Sequence, residues 1–102
     1  MENIEQMVQE KGLTAPRVTK ELISSKIESI DYVEHRTPVG AILRWAVLNM
    51  VNGFSIVGKP SASISPENDD EEIGKKVAYE NAFNEAWALE GYVLANNLRN
   101  IK

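Results

Sequence analysis

Apolar residues in the middle of the chain fall into two runs, 41–51 and 54–63, and Asn52-Gly53 separates them. Asn-Gly between strand-like runs is a strong hairpin signal, because a type I′ turn needs positive φ at both central residues. A β-hairpin is therefore expected here. A two-residue turn sets Val51 against Phe54, and the pairing then runs Asn49–Ile56, Val47–Gly58, Trp45–Pro60 and Leu43–Ala62. Side chains alternate along a strand, so one face would carry Leu43, Trp45, Val47, Val51, Phe54 and Ile56. That face is expected to bury against a helix. The opposite face would carry Ile42, Arg44, Ala46, Leu48 and Met50 against Ser55, Val57, Lys59, Ser61 and Ser63. It is apolar near the turn and basic away from it, so it calls for a cover, either a helix or a second subunit. The competing pattern is a helix over 41–51, because Ile42, Trp45, Ala46 and Asn49 also fit helical spacing.

The flanking segments read as helices and one further strand. Residues 2–11 suit a short helix anchored only by Ile4 and Met7, with Gly12 as its stop. Such a thin stripe predicts a frayed arm or one docked on a partner subunit. Thr14 looks like an N-cap with Pro16 in the first turn, and Val18, Leu22, Ile23, Ile27 and Ile30 give a one-sided stripe over 14–29. Residues 31–36 alternate, which predicts a strand, and Thr37-Pro38-Val39-Gly40 turns into the hairpin. After Ser63 the chain becomes polar. A long helix is expected over 68–98, capped by Asn68 or Asp69, with Asp70, Glu71 and Glu72 at the positive end of its dipole. Gly74, Ala78, Ala82 and Ala86 recur every four residues. This small-residue ridge would let the helix lie close to the sheet face carrying Trp45 and Phe54. The expected fold is α+β: one domain, 1–102, with a three-stranded antiparallel meander over 31–63. An N-terminal amphipathic helix and a long C-terminal helix pack with it.

Composition narrows the chemistry. A chain of 102 residues with 43% apolar residues builds one core. The net charge of −4, without a basic block, argues against nucleic acid as a partner. There is no cysteine, hence no disulfide and no thiolate metal site. No apolar run reaches membrane-spanning length. The acidic start Met1-Glu2-Asn3-Ile4-Glu5 lacks the apolar stretch of a signal peptide, so a cytoplasmic location is expected.

Chemistry-bearing motifs are few. Gly53-x4-Gly58-Lys59 echoes a phosphate-binding loop, but Pro60 stands where Ser or Thr would hold the metal, and no helix opens there. The acidic run 67–72 lacks the alternating spacing and mid-loop glycine of a calcium loop. It is better explained as a solvated helix start. His35 is the only histidine, and no nucleophile or carboxylate pair of defined spacing accompanies it. No enzyme is expected, and no cofactor or metal is called for. Trp45, Tyr79, Trp87 and Tyr92 suit packing. One polar cluster is placed together by the register: Arg44, Lys59, Ser61 and Ser63. An exposed sheet face accounts for it, but so does a recess for an anionic or nucleotide-like ligand, where arginine forks onto phosphate. The candidate ligand-binding residues are Arg44, Trp45, Lys59 and Ser61.

Several segments resemble a family of small accessory proteins of tailed bacteriophages. They are Ala15-Pro16-Arg17-Val18-Thr19, the stretch 52–62 beginning Asn52-Gly53-Phe54, the stretch 71–82 beginning Glu71-Glu72-Ile73-Gly74-Lys75-Lys76, and Trp87-Ala88-Leu89-Glu90-Gly91-Tyr92. The resemblance brings no activity and no catalytic residues. It implies a setting in the cytoplasm of an infected bacterium and a role against host defence. The expected function is a homo-oligomer that sequesters a nucleotide-type or phosphorylated host signal without chemistry. The alternative is an interaction module that docks on a host protein and inhibits it.

Overall fold

The computed structural model describes residues 2–13 and 15–100. The fold is α+β: an antiparallel sheet with a long C-terminal helix on one face and two short helices before it. Helix α1 spans Glu2–Glu10 and stops where Gly12 adopts φ +65°. Helix α2 is only Lys20–Ser25. The strands are β1 (Ile27–Arg36), β2 (Ile42–Met50), β3 (Ser55–Val57) and β4 (Ser61–Ser63). A 3₁₀ turn, Pro66–Asn68, leads to α3, Glu71–Leu98.

The helix expected over 14–29 is replaced by α2 and the first part of β1. Thr14 lies outside the described residues. The N-cap is Thr19, whose hydroxyl accepts from the Leu22 N–H at 3.0 Å. Lys26 closes the helix, its N–H reaching the Ile23 carbonyl. Ile27 and Ile30 fit a helical stripe but also suit a strand, and pairing decides. Extending β1 back to Ile27 lets it follow β2 as far as Met50, with a bulge between Ile27 and Ser29. Val51 N–H also bonds the Lys26 carbonyl at 2.9 Å, tying the second hairpin to this junction. Tertiary hydrogen bonding thus overrides local helix preference.

Strand β2 is central, with β1 along one side and β3 then β4 along the other. Both hairpins use the same loop. Met50 N–H donates to Phe54 O at 2.8 Å, and Gly53 N–H returns to Met50 O at 2.9 Å. Thr37 and Gly40 repeat this around Pro38-Val39, closing on Ala41 at 2.9 Å. Each loop has three residues and ends on a positive-φ glycine, Gly53 at +89° and Gly40 at +90°. The type I′ turn expected at Asn52-Gly53 is therefore corrected. Asn52 has no positive φ; its side chain instead accepts from Phe54 N–H at 3.0 Å. The extra loop residue slips the register by one, so Leu48 faces Ile56 and Val47 faces Val57. The irregular stretch at Gly58-Lys59-Pro60 takes the slip back. Beyond it Leu43 faces Ala62 and Arg44 faces Ser61, as the two-residue arithmetic anticipates.

The buried face is the opposite of the one expected. Ile42, Arg44, Ala46, Leu48 and Met50 lie under α3, together with Ile56 from β3. Leu43, Trp45 and Val47 point the other way. The reason is close approach. Ala78, Ala82 and Ala86 are fully buried along the underside of α3, which confirms the small-residue ridge. A Cβ on Gly58 would meet the Asn81 carbonyl atoms at 2.4 Å. The closest approach falls on Gly58 and Ala46, while Leu48, Met50 and Ile56 fill the space beside it. Phe83 and Ile23 close the core at one flank, where Tyr79 packs tilted and Trp87 edge-to-face on Phe83. Helix α3 opens at Asp70 rather than at Asn68 or Asp69, its carboxylate accepting from Ile73 N–H at 2.9 Å.

Candidate functional site

Arg44 stands beneath the first turn of α3 and is 4% exposed. It does not stand free for a phosphate. Its Nη1 and Nη2 fork onto Asp69 at 2.6 and 2.7 Å, and Nη2 also reaches Glu34 at 3.0 Å. Ser63 donates to the same Asp69 at 3.1 Å. The hydrogen-bonded guanidinium holds the Asp69 carboxyl below its usual range, and the two carboxylates keep the arginine charged more firmly than usual. Gly74 leaves the space for this, since a Cβ there would come within 2.7 Å of Nη1. The node joins β1, β2 and β4 to the loop before α3, which is a structural task.

The four residues singled out from sequence are thus divided. Arg44 and Ser61 share the buried face, and Ser61 is buried beside Gly74. Trp45 projects from the opposite face. Lys59 is exposed in the irregular stretch, and its carbonyl accepts from Asn81 Nδ2 at 3.0 Å. His35, facing Leu43, also belongs to the open face.

A second constellation lies at the other end of the sheet. Glu90, on the underside of α3, is buried and receives Lys26 Nζ on both oxygens, at 2.6 and 3.2 Å. Above this pair opens a cleft of about 400 Å³, walled by Met50, Phe54, Ile56, Leu89 and Tyr92. Phe54 and Tyr92 are 56% and 71% exposed, so both rings offer a free face. Sequence reasoning missed this site because Lys26 and Glu90 lie 64 residues apart and neither belongs to a local motif. Phe54 in the turn was the one available pointer. A larger groove of about 760 Å³ separates α1 from α2 and α3, where Ile4 and Val8 look toward Trp87. An ion pair between Glu5 and Arg17 bridges α1 to the stretch before α2.

Residues 18–98 match the model of the phage protein (N4 Gp49/phage Sf6 gene 66) family. The chain belongs to this family. No curated protein and no solved structure matches it. In this member of the N4 Gp49/Sf6 gene 66 family, the segments 52–62 and 87–92 that carry the phage resemblance flank the hairpin-tip cleft from its two sides. Among the described residues no helix is long and apolar enough to cross a membrane.

Proposed function

We propose that this phage protein is a non-catalytic binding protein that works as a homo-oligomer and sequesters a nucleotide-type ligand in the infected cell. The hairpin-tip cleft is the observation that carries this reading. Small-molecule sites combine mostly apolar, aromatic walls with a few fixed polar groups. Here the free faces of Phe54 and Tyr92 are available for base stacking, which stabilises by about 1–3 kcal/mol per base. Lys26 uses only part of the acceptor capacity of the Glu90 carboxylate, leaving lone pairs for N–H donors on a base. The Lys26 ammonium is partly exposed and suits a phosphate. The binding site therefore moves from Arg44, Trp45, Lys59 and Ser61 to Lys26, Phe54, Glu90 and Tyr92.

Titration calorimetry against a panel of cyclic and linear nucleotides and ADP-ribose derivatives tests it. The expected result is saturable heat with at least one member, weakened ten-fold or more by Tyr92→Ala, and recovery of the nucleotide unchanged. Absence of heat with every member overturns the proposal.

A further inference from the structure

Helices α2 and α3 cover one face of the sheet and leave the other bare. On the bare face Trp45 lies at the centre, with Leu43 and Val47 along β2, Val33 on β1, Val57 on β3 and Ala62 on β4. Val33 and Val57 are 51% and 49% exposed. A polar strip bounds this patch toward the hairpin tip. Asn49 donates to Ser29 at 3.1 Å and to Asp31 at 2.9 Å, and Ser55 closes on Asn49 at 3.4 Å. An apolar centre with a polar border is the anatomy of an interface, and tryptophan is enriched among the residues that carry binding energy in one.

We infer that this face seats a second copy of the same chain, packed sheet on sheet about a two-fold axis that crosses the strands at the level of Val33 and Trp45. Charge is the first argument. The chain carries −4 overall, yet Asp31 is the one carboxylate among the outward strand residues of the paired register. Two such faces meet without the repulsion that the rest of the surface would impose. Asp31 and His35 stand two residues either side of Val33 on β1. A two-fold axis through Val33 reverses β1 over its own copy, so Asp31 of each protomer falls opposite the partner's His35. The same operation lays Trp45 against the partner's Trp45. A surface that complements itself under a two-fold is what an isologous dimer requires.

Area is the second argument. β1 and β2 are ten and nine residues long, and β3 and β4 with the stretch between them make a third row over 55–63; at about 3.3 Å per residue and about 4.8 Å spacing these three rows span roughly 430 Å² per copy in projection. Side-chain relief adds to this, so two copies reach the roughly 1,000 Å² that a specific interface needs.

The inference names the surface of the homo-oligomer proposed above, but the ligand cleft lies on the helix side, so the two fail separately. Sedimentation velocity of the full chain at 10 and 100 μM is the test. The expected wild-type species is about twice the 11.4 kDa protomer. Trp45→Glu should be a monomer with unchanged far-UV circular dichroism. His35→Asp should raise the dissociation constant ten-fold or more, and the double exchange Asp31→His with His35→Asp should restore it. A monomeric wild type at 100 μM overturns the inference and leaves the face to a different protein. A dimer indifferent to Trp45→Glu overturns it as well, placing self-association elsewhere. Calorimetric silence in a protein that does dimerise through this face counts only against the ligand.

Discussion

Replacing Gly58 by alanine probes the seat of α3 on the sheet. The new methyl carbon would stand 2.4 Å from the carbonyl carbon and oxygen of Asn81 and 2.5 Å from Ala82 N. These are backbone atoms in the middle of a 28-residue helix, so no rotamer change relieves the overlap. Ordinary contact requires a retreat of about 1 Å. The strand cannot supply it, because β3 and β4 pair with β2 on either side of Gly58, and Asn81 holds the Lys59 carbonyl. The helix would have to rise instead, lifting Ala78, Ala82 and Ala86 from the core. A radial gap of that size forfeits roughly a quarter to a half of each dispersion contact. Overpacking typically costs about 1–3 kcal/mol, and a backbone clash belongs at the upper end. The expected loss is about 3 kcal/mol, or a fall of roughly 12–24 °C in midpoint for a chain this size, read by urea and thermal melts. Gly91→Ala is the matched control. It lies in the same helix with nothing within 4 Å of the added carbon, so it should gain up to ~1 kcal/mol. A loss below about 1 kcal/mol for Gly58→Ala would refute the close seating.

Four further outcomes follow from named contacts. The folded-state Asp69 carboxyl lies below its ordinary 3.8, so its contribution is present above that pH and lost as pH falls through the lowered value; the urea midpoint of the wild type should therefore drop below pH 4, and Asp69→Asn should be less stable at pH 7 with a flatter acid limb. Gly74→Ala presses on the pinned Arg44 Nη1 and should cost about 1–3 kcal/mol in the same melts, with the acid limb also blunted. Asp70→Ala removes the N-cap of α3 and should cost about 1 kcal/mol, restored by Asp70→Ser. Leu48→Ala empties a fully buried position and should cost about 2–5 kcal/mol.

The long helix and its alanine ridge were legible because small side chains at every fourth position from Gly74 to Ala86 have few rival explanations. The hairpins were legible in place but not in loop length. Asn-Gly serves both a two-residue turn and the tail of a three-residue loop, and only the φ of Asn52 separates them. The α2–β1 boundary was hidden because Ile23, Ile27 and Ile30 satisfy both a helical and an extended pattern, and strand pairing with β2 chose between them. Both faces of β2 are apolar, so composition alone could not say which lies under α3. The choice rests on Gly58 and Ala46, whose meaning appears only once the helix is in place. At the candidate site, Arg44 was visible as a cation but its carboxylate was not, because Asp69 is 25 residues away across two strands. Lys26 and Glu90 were invisible for the same reason.

The two short glycine-closed loops fix an order of events during synthesis. Every strand pairing in the sheet is made within residues 27–63, and hairpins close in about 1–10 μs. Bacterial ribosomes add the following 35 or so residues, through the end of α3, in roughly 2–7 s. Until α3 packs down, that sheet is a ribbon greasy on both sides, Ile42 and Leu48 on one and Trp45 and Val47 on the other. Neighbouring chains on one message are then the nearest apolar surface available.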